Sequence, residues 1–136
     1  MRYLLDTNVL SELRKGQACH KTVKAWAGST RNERHYISVL SLGEIRKGIE
    51  ILRQRSPKQC PAFEKWLAQL QTDYSTDILS ITEPVTEAWG HLMAERTLPV
   101  IDGLLAATAL TYGLTVATRN TAEFEGTGAT VVNPFV

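Results

Sequence analysis

Three acids stand where an apolar run gives way to a new segment. Asp6 closes "RYLL", Glu44 follows "YISVLS", and Asp102 follows "LPVI". Asn120 and Glu123 come just after a fourth such run, "LTVAT". Each has an ordinary conformational reading. Asp6 suits a turn or an N-cap. Asp102 is favoured at a helix N-terminus. Ser41 and Glu44 have the S-x-x-E spacing of a capping box, as do Asn120 and Glu123 in their own turn. Gathered at one edge, however, these carboxylates repel one another unless a cation sits among them. Hard divalent ions take oxygen ligands, and Mg²⁺ commonly combines one or two carboxylates with waters and phosphate oxygens. Such a site can activate water and stabilise a phosphoryl transition state.

The elements that must carry these residues follow from hydrophobic periodicity. "RYLL", "YISVLS", "DILSI", "LTVAT" and "ATVVN" read as five short strands, several of them continuously apolar. Helical segments lie between them. "NVLSELRKG" and "KTVKAWAG" are stopped by Gly16 and Gly28. From Ser41, the residues Leu42, Ile45, Ile49 and Leu52 form a buried stripe, and Phe63, Trp66, Leu67, Leu70 and Tyr74 form a second one after "SPKQCP". "EPVTEAWGHLMAERT" carries Pro84 in its first turn, where the missing N–H costs little. "GLLAATALTYG" is rich in small residues and able to pack closely. Strands alternating with helices indicate a single α/β domain over residues 1–136, three-layered and Rossmann-like, with a parallel sheet of about five strands. In such sheets ligands bind beyond the carboxyl ends of the strands, the edge at which all five polar residues leave.

The bulk composition is that of a water-soluble globular protein, with no apolar run near the ~20 residues that span a bilayer. The N-terminus lacks the long apolar core of a signal peptide because Asp6 interrupts it, so a cytoplasmic location is expected. Cys19 and Cys60 have no CxxC spacing, and His20, His35 and His91 are scattered, which argues against zinc. No P-loop, Ser-His-Asp set or GxGxxG motif is present. The net charge of +1 conceals an asymmetry: residues 1–72 hold 13 Lys/Arg against 6 Asp/Glu, and residues 73–136 hold 2 against 8. The densest basic segment, Arg46, Lys47, Arg53, Arg55 and Lys58 opposed by Glu50, would suit a phosphate backbone or an acidic protein.

Four segments, "YLLDTNVLSE", "ISVLSLGEIRKGIE", "LPVIDGLLAATAL" and "TVATRNTAEFEGTGATVVNPF", resemble the ordered motifs of PIN-domain ribonucleases. The similarity is strongest to VapC-type toxins of bacterial toxin–antitoxin pairs, including the Fit and plasmid-stability branch, and it runs from Arg2 to Phe135. The resemblance implies an endoribonuclease dependent on Mg²⁺ or Mn²⁺, hydrolysing RNA phosphodiesters with metal-activated water. It also implies a cognate antitoxin partner and a homodimer. Carried over residue by residue, the acids fall on Asp6, Glu44 and Asp102, all three as metal ligands. Thr7, Asn8, Arg46, Thr118 and Arg119 would meet substrate or orient the first acid. The pattern breaks at the fourth acid, where many relatives carry Asp and this chain has Asn120. Glu123, three residues on, is the expected replacement. The same departure supports an alternative, a PIN-like module that binds RNA or antitoxin without cutting.

Overall fold

A computed structural model describes residues 1–136. Five strands, β1 (Arg2–Leu5), β2 (Arg34–Ser38), β3 (Ile78–Leu79), β4 (Thr115–Ala117) and β5 (Thr130–Val132), form one sheet in the order β3-β2-β1-β4-β5. Every pairing is parallel, with Leu4 opposite Tyr36 on one side and Val116 on the other. Six helices connect them: α1 (Thr7–Leu13), α2 (Lys21–Ser29), α3 (Val39–Arg55), α4 (Cys60–Asp73), α5 (Glu83–Glu95) and α6 (Val100–Tyr112). The three-layer, Rossmann-like α/β architecture expected from the alternation of patterns is the one observed.

Alternation along the strands separates two cores, because successive side chains of a strand point to opposite faces. Tyr3, Leu5, Ile37 and Ala117 pack with Val9, Val23, Ile45, Ile49 and Leu67 of helices α1 to α4. Leu4, Val116 and Leu114 pack with Leu92 of α5 and with Leu105, Ala106 and Ala109 of α6. The small residues of α6 let α5 come close: a Cβ on Gly103 would stand 2.9 Å from Met93 Sδ and 3.3 Å from the Trp89 ring. Gly113, at φ +65°, ends α6 in the left-handed conformation that glycine adopts without steric cost. The chain starts at the centre of the sheet, runs outward through β2 and β3, and returns across it to β4 and β5. Strand order therefore reverses between β1 and β4, and the crevice above that point is where a parallel sheet offers a binding site.

Several boundaries differ from the sequence reading. β2 begins at Arg34 and ends at Ser38, so α3 starts two residues before Ser41. Ser38 is the cap, its hydroxyl accepting from Leu40 N at 3.1 Å. The Ser41–Glu44 capping box does not form, because Ser41 is already inside the helix, buried and without a hydrogen-bond partner for its hydroxyl. β3 is shorter than "DILSI", pairing with β2 only through Ile78 and Leu79 at the sheet's edge. "SPKQCP" is not wholly a breaker: a 3-10 turn covers Pro57–Gln59, and α4 then begins at Cys60 with Pro61 in its first turn.

Candidate active site

Asp6 is the first residue past β1 and the N-cap of α1. Its backbone N–H donates to the Ala117 carbonyl at 2.9 Å, which prolongs the β1–β4 pairing beyond the strands. Its carboxylate is buried and held at both oxygens. Oδ1 accepts from Thr7 N at 2.7 Å, and Oδ2 accepts from the Thr118 hydroxyl at 2.8 Å and from Asn8 Nδ2 at 3.3 Å. The cap reading and the functional reading are thus both open to one side chain: the bond to Thr7 N starts the helix and fixes the carboxylate's rotamer.

Thr118 sits at the hub of this arrangement. Fully buried, it donates its hydroxyl proton to Asp6, and the same oxygen accepts from Asn120 N at 3.0 Å and lies 3.4 Å from Asn8 Nδ2. Thr118, expected at the wall of the site, is buried and holds Asp6 from beneath. Asn8 likewise spans two segments, its Oδ1 accepting from Arg119 N at 3.1 Å while its amide reaches Asp6. The ends of β1 and β4 are therefore tied by side chains as well as by the sheet.

Glu44 lies in the second turn of α3, and its Oε1 accepts from the Thr7 hydroxyl at 2.6 Å. Asp102 occupies the first turn of α6. Its carboxyl is pushed up to about 6, first by burial and then by the negative charges of Asp6, Glu123 and Glu44. No hydrogen bond pulls it back. Burial penalises the charged form and like charges add to the penalty. Asp102 thus reports electrostatically that four carboxylates from four separate segments share one locality. Glu123 stands in the 3-10 turn Thr121–Phe124, exposed, and Asn120 precedes that turn with its backbone tied to Thr118.

The donor set consists of carboxylate, amide and hydroxyl oxygens, which suits a hard divalent cation and not a soft one. No three of these acids close around a single point, which leaves both direct and water-mediated holding of one ion open to the expected set of Asp6, Glu44 and Asp102. Glu44 is drawn to Thr7. The arrangement fits an ion that keeps several waters and takes one or two carboxylates, as Mg²⁺ does.

The basic residues divide in two. Arg46, expected to meet substrate, is committed elsewhere: its guanidinium bonds Glu64 at 2.7 and 2.9 Å and Glu50 at 3.0 Å. Arg53 bonds the same two acids, and together the arginines hold Glu64 down to about 2. These bonds fasten α4 onto α3 and engage both terminal nitrogens of Arg46, although its side chain stays 46% exposed. Arg119, by contrast, forms no such bond; its guanidinium lies 4.5 Å from the centroid of the Phe135 ring. Beside Glu44 a groove of about 270 Å³ runs between α1, α3 and α4, lined by Thr7, Ile45, Gly48, Phe63 and Trp66 among others. Its aromatic wall was read from the sequence only as core, because helical spacing alone does not separate a buried stripe from a half-open one.

Residues 3–128 match the family model described as the PIN domain. The chain belongs to the PIN-domain family. It is 30% identical over 138 residues to the VapC ribonuclease Y4jK of Sinorhizobium fredii, covering 97% of this chain and 96% of the relative. It is 32% identical over 137 residues to the toxin FitB of Neisseria gonorrhoeae, covering 97% of each. The crystal structure of FitAcB from Neisseria gonorrhoeae superimposes with a TM-score of 0.86 at 32% identity, covering 98% of both chains. The PIN-domain residues 3–128 include Asp6, Glu44, Asp102, Asn120 and Glu123.

Proposed function

We propose that this PIN-domain protein is the toxin of a toxin–antitoxin pair and a Mg²⁺- or Mn²⁺-dependent endoribonuclease. The observation that carries the reading is the gathering of Asp6, Glu44, Asp102 and Glu123 at the β1–β4 switch point, where burial first and then the other three charges push Asp102 up to about 6. Four acids confined to one locality suit a site that works with a cation, and the names of the relatives agree with a nuclease.

The roles of the chain's own groups follow from their contacts. Asp6, immobilised by Thr7 N, Asn8 and Thr118, offers a carboxylate whose position is fixed before anything binds. Asp102, free of such bonds, is the carboxylate best placed to hold the ion together with Asp6. Glu44, Glu123 and the Asn120 side chain would meet it through water. A divalent cation bound there supplies a more acidic water and neutralises charge developing on the phosphoryl oxygens. Arg119, whose backbone N–H is tied to Asn8 at the site, would bind the flanking RNA phosphates and keep the polyanion aligned despite the nearby carboxylates. Lacking the negative charge of an Asp, Asn120 lowers the site's attraction for a second ion.

The antitoxin is the second partner of this reading. Its peptide would lie over the acids and place an apolar side chain in the groove beside Glu44, where Phe63 and Trp66 offer aromatic walls. A homodimer and a cytoplasmic location belong to the same reading; no helix is long and apolar enough to cross a membrane.

The test is cleavage of several RNA classes by purified, antitoxin-free protein, with and without Mg²⁺ or Mn²⁺, beside Asp6→Ala. Metal-dependent cutting that disappears in the variant is expected. Wild type and variant that bind RNA equally and cut none of it would replace the nuclease with a binding module.

A further inference from the structure

Arg96 follows the last turn of α5 in extended backbone. Its Nη1 donates to the carbonyl oxygen of Glu125 at 2.7 Å. The guanidinium meets Gly126 end-on: a Cβ at that position would fall 2.7 Å from Nη1, 2.8 Å from Nη2 and 3.2 Å from the central carbon. Gly126 also stands at φ +76°, a conformation that L side chains rarely adopt. Glycine at 126 is thus required by the backbone, and a side chain there would push the Arg96 guanidinium off its place. Arg96 Nε is buried without a partner, so the side chain is enclosed here rather than draped over the surface.

The two ends of this contact lead to two of the candidate acids. From Arg96 the chain passes through Leu98 to Pro99, the N-cap of α6, whose first turn carries Asp102. Glu125 immediately follows the 3-10 turn that carries Glu123. Phe124 and Leu98 share the apolar cluster beneath, and apolar contact alone is non-directional. A planar guanidinium set end-on against Gly126 and bonded to the Glu125 carbonyl adds the missing orientation.

We propose that Arg96 is a positioning residue for the nuclease site, latching Glu125 and Gly126 to the segment that enters α6 and so holding Glu123 beside Asp102. The inference rests on the reading of the acids as a metal-dependent site, and Arg96 acts on the reaction only through Glu123.

The experiment is a double-mutant cycle on the full chain. Arg96→Met keeps the aliphatic stem for packing and removes the latch; Arg96→Lys keeps one donor for the Glu125 carbonyl. Cleavage at saturating RNA should fall about tenfold in Arg96→Met with KM unchanged, since displacing a participating group lowers turnover and not binding. Arg96→Lys should recover part of the loss, and Mn²⁺ affinity measured by calorimetry should weaken in the same order. In a Glu123→Gln background, removing Arg96 should change neither quantity further. An equal loss in that background would overturn the latch, as would Mn²⁺ affinity and turnover unchanged in Arg96→Met. If the wild type cuts no RNA, the nuclease reading fails by itself, and the Mn²⁺ isotherms still decide the latch. No Mn²⁺ binding by the wild type overturns both.

Discussion

Replacing Asp102 with Asn should make the metal-free protein more stable and useless as a metal site. The folded chain raises this carboxyl from 3.8 to about 6 through burial and three neighbouring negative charges. A group whose pKa is raised on folding binds more protons folded than unfolded throughout that interval. Stability therefore falls as pH rises from about 4 to about 6, and the whole penalty is present above it. Taken at face value the shift corresponds to about 3 kcal/mol, and solvent access to a half-buried side chain reduces it to about 1–2 kcal/mol. Asn keeps the size and removes the charge. In chelator near neutral pH, Asp102→Asn should melt several degrees above wild type, about 3–8 °C for a chain of this length. The assay is thermal unfolding of both proteins from pH 4 to pH 8, with chelator and then with Mn²⁺. Glu12, Glu50 and Glu64 have lowered pKa values and slope the opposite way, but they are common to both proteins and cancel in the difference. The difference should grow with pH up to about 6 and then level off, and Mn²⁺ should raise the wild type alone. A variant less stable than wild type at neutral pH in chelator would refute the electrostatic argument, because crowding of the carboxylates would then cost the fold nothing.

Thr118→Val is nearly isosteric but leaves Asp6 Oδ2 and Asn120 N without their buried partner. A loss of about 1–3 kcal/mol is expected in urea unfolding, with Thr118→Ser close to wild type. Arg119→Ala should weaken RNA binding and lower the log–log salt slope by about 0.7, the value for one phosphate contact on a single strand. Arg46→Ala should leave that slope unchanged, because Glu64 and Glu50 already occupy the guanidinium. Fluorescence titrations of a catalytically dead background at several salt concentrations check both, and a slope reduced by Arg46→Ala would restore that residue to the RNA surface.

Asp6 and Glu123 were legible in the sequence because each follows a short apolar run that is itself a strand, whereas "LPVI" before Asp102 is a helix-to-helix connection that runs into α6. Parallel pairing then sends every strand exit to the same edge, so local pattern and fold rule together placed Asp6 and Glu123, while Asp102 arrives there at the start of α6. The start of α3 was not legible. Val39 and Leu40 are apolar and one is β-branched, so they extend the pattern of β2 as readily as they begin a helix. Ser38 and Ser41 are both credible caps, and the choice falls on Ser38 because β2 pairs with β3 only as far as Ser38 opposite Leu79. That displacement moves Glu44 one turn deeper into the helix, where it meets Thr7.

Charged side chains were the least legible, for a reason particular to their reach. Glu64 neutralises Arg46 from 18 residues away across the α3–α4 hairpin, a contact that no local count of charges reveals. The opposing acid considered in the basic segment was Glu50, which supplies only part of the pairing. Arg96 was passed over for the converse reason: its partner is a backbone carbonyl, and a carbonyl has no identity in a sequence. What the sequence offers there is Gly126 two residues before Gly128, outside any GxGxxG motif. Read for close approach instead of for a motif, a glycine just after an apolar anchor such as Phe124 marks a place where another chain segment presses on the backbone. In this protein that segment is Arg96.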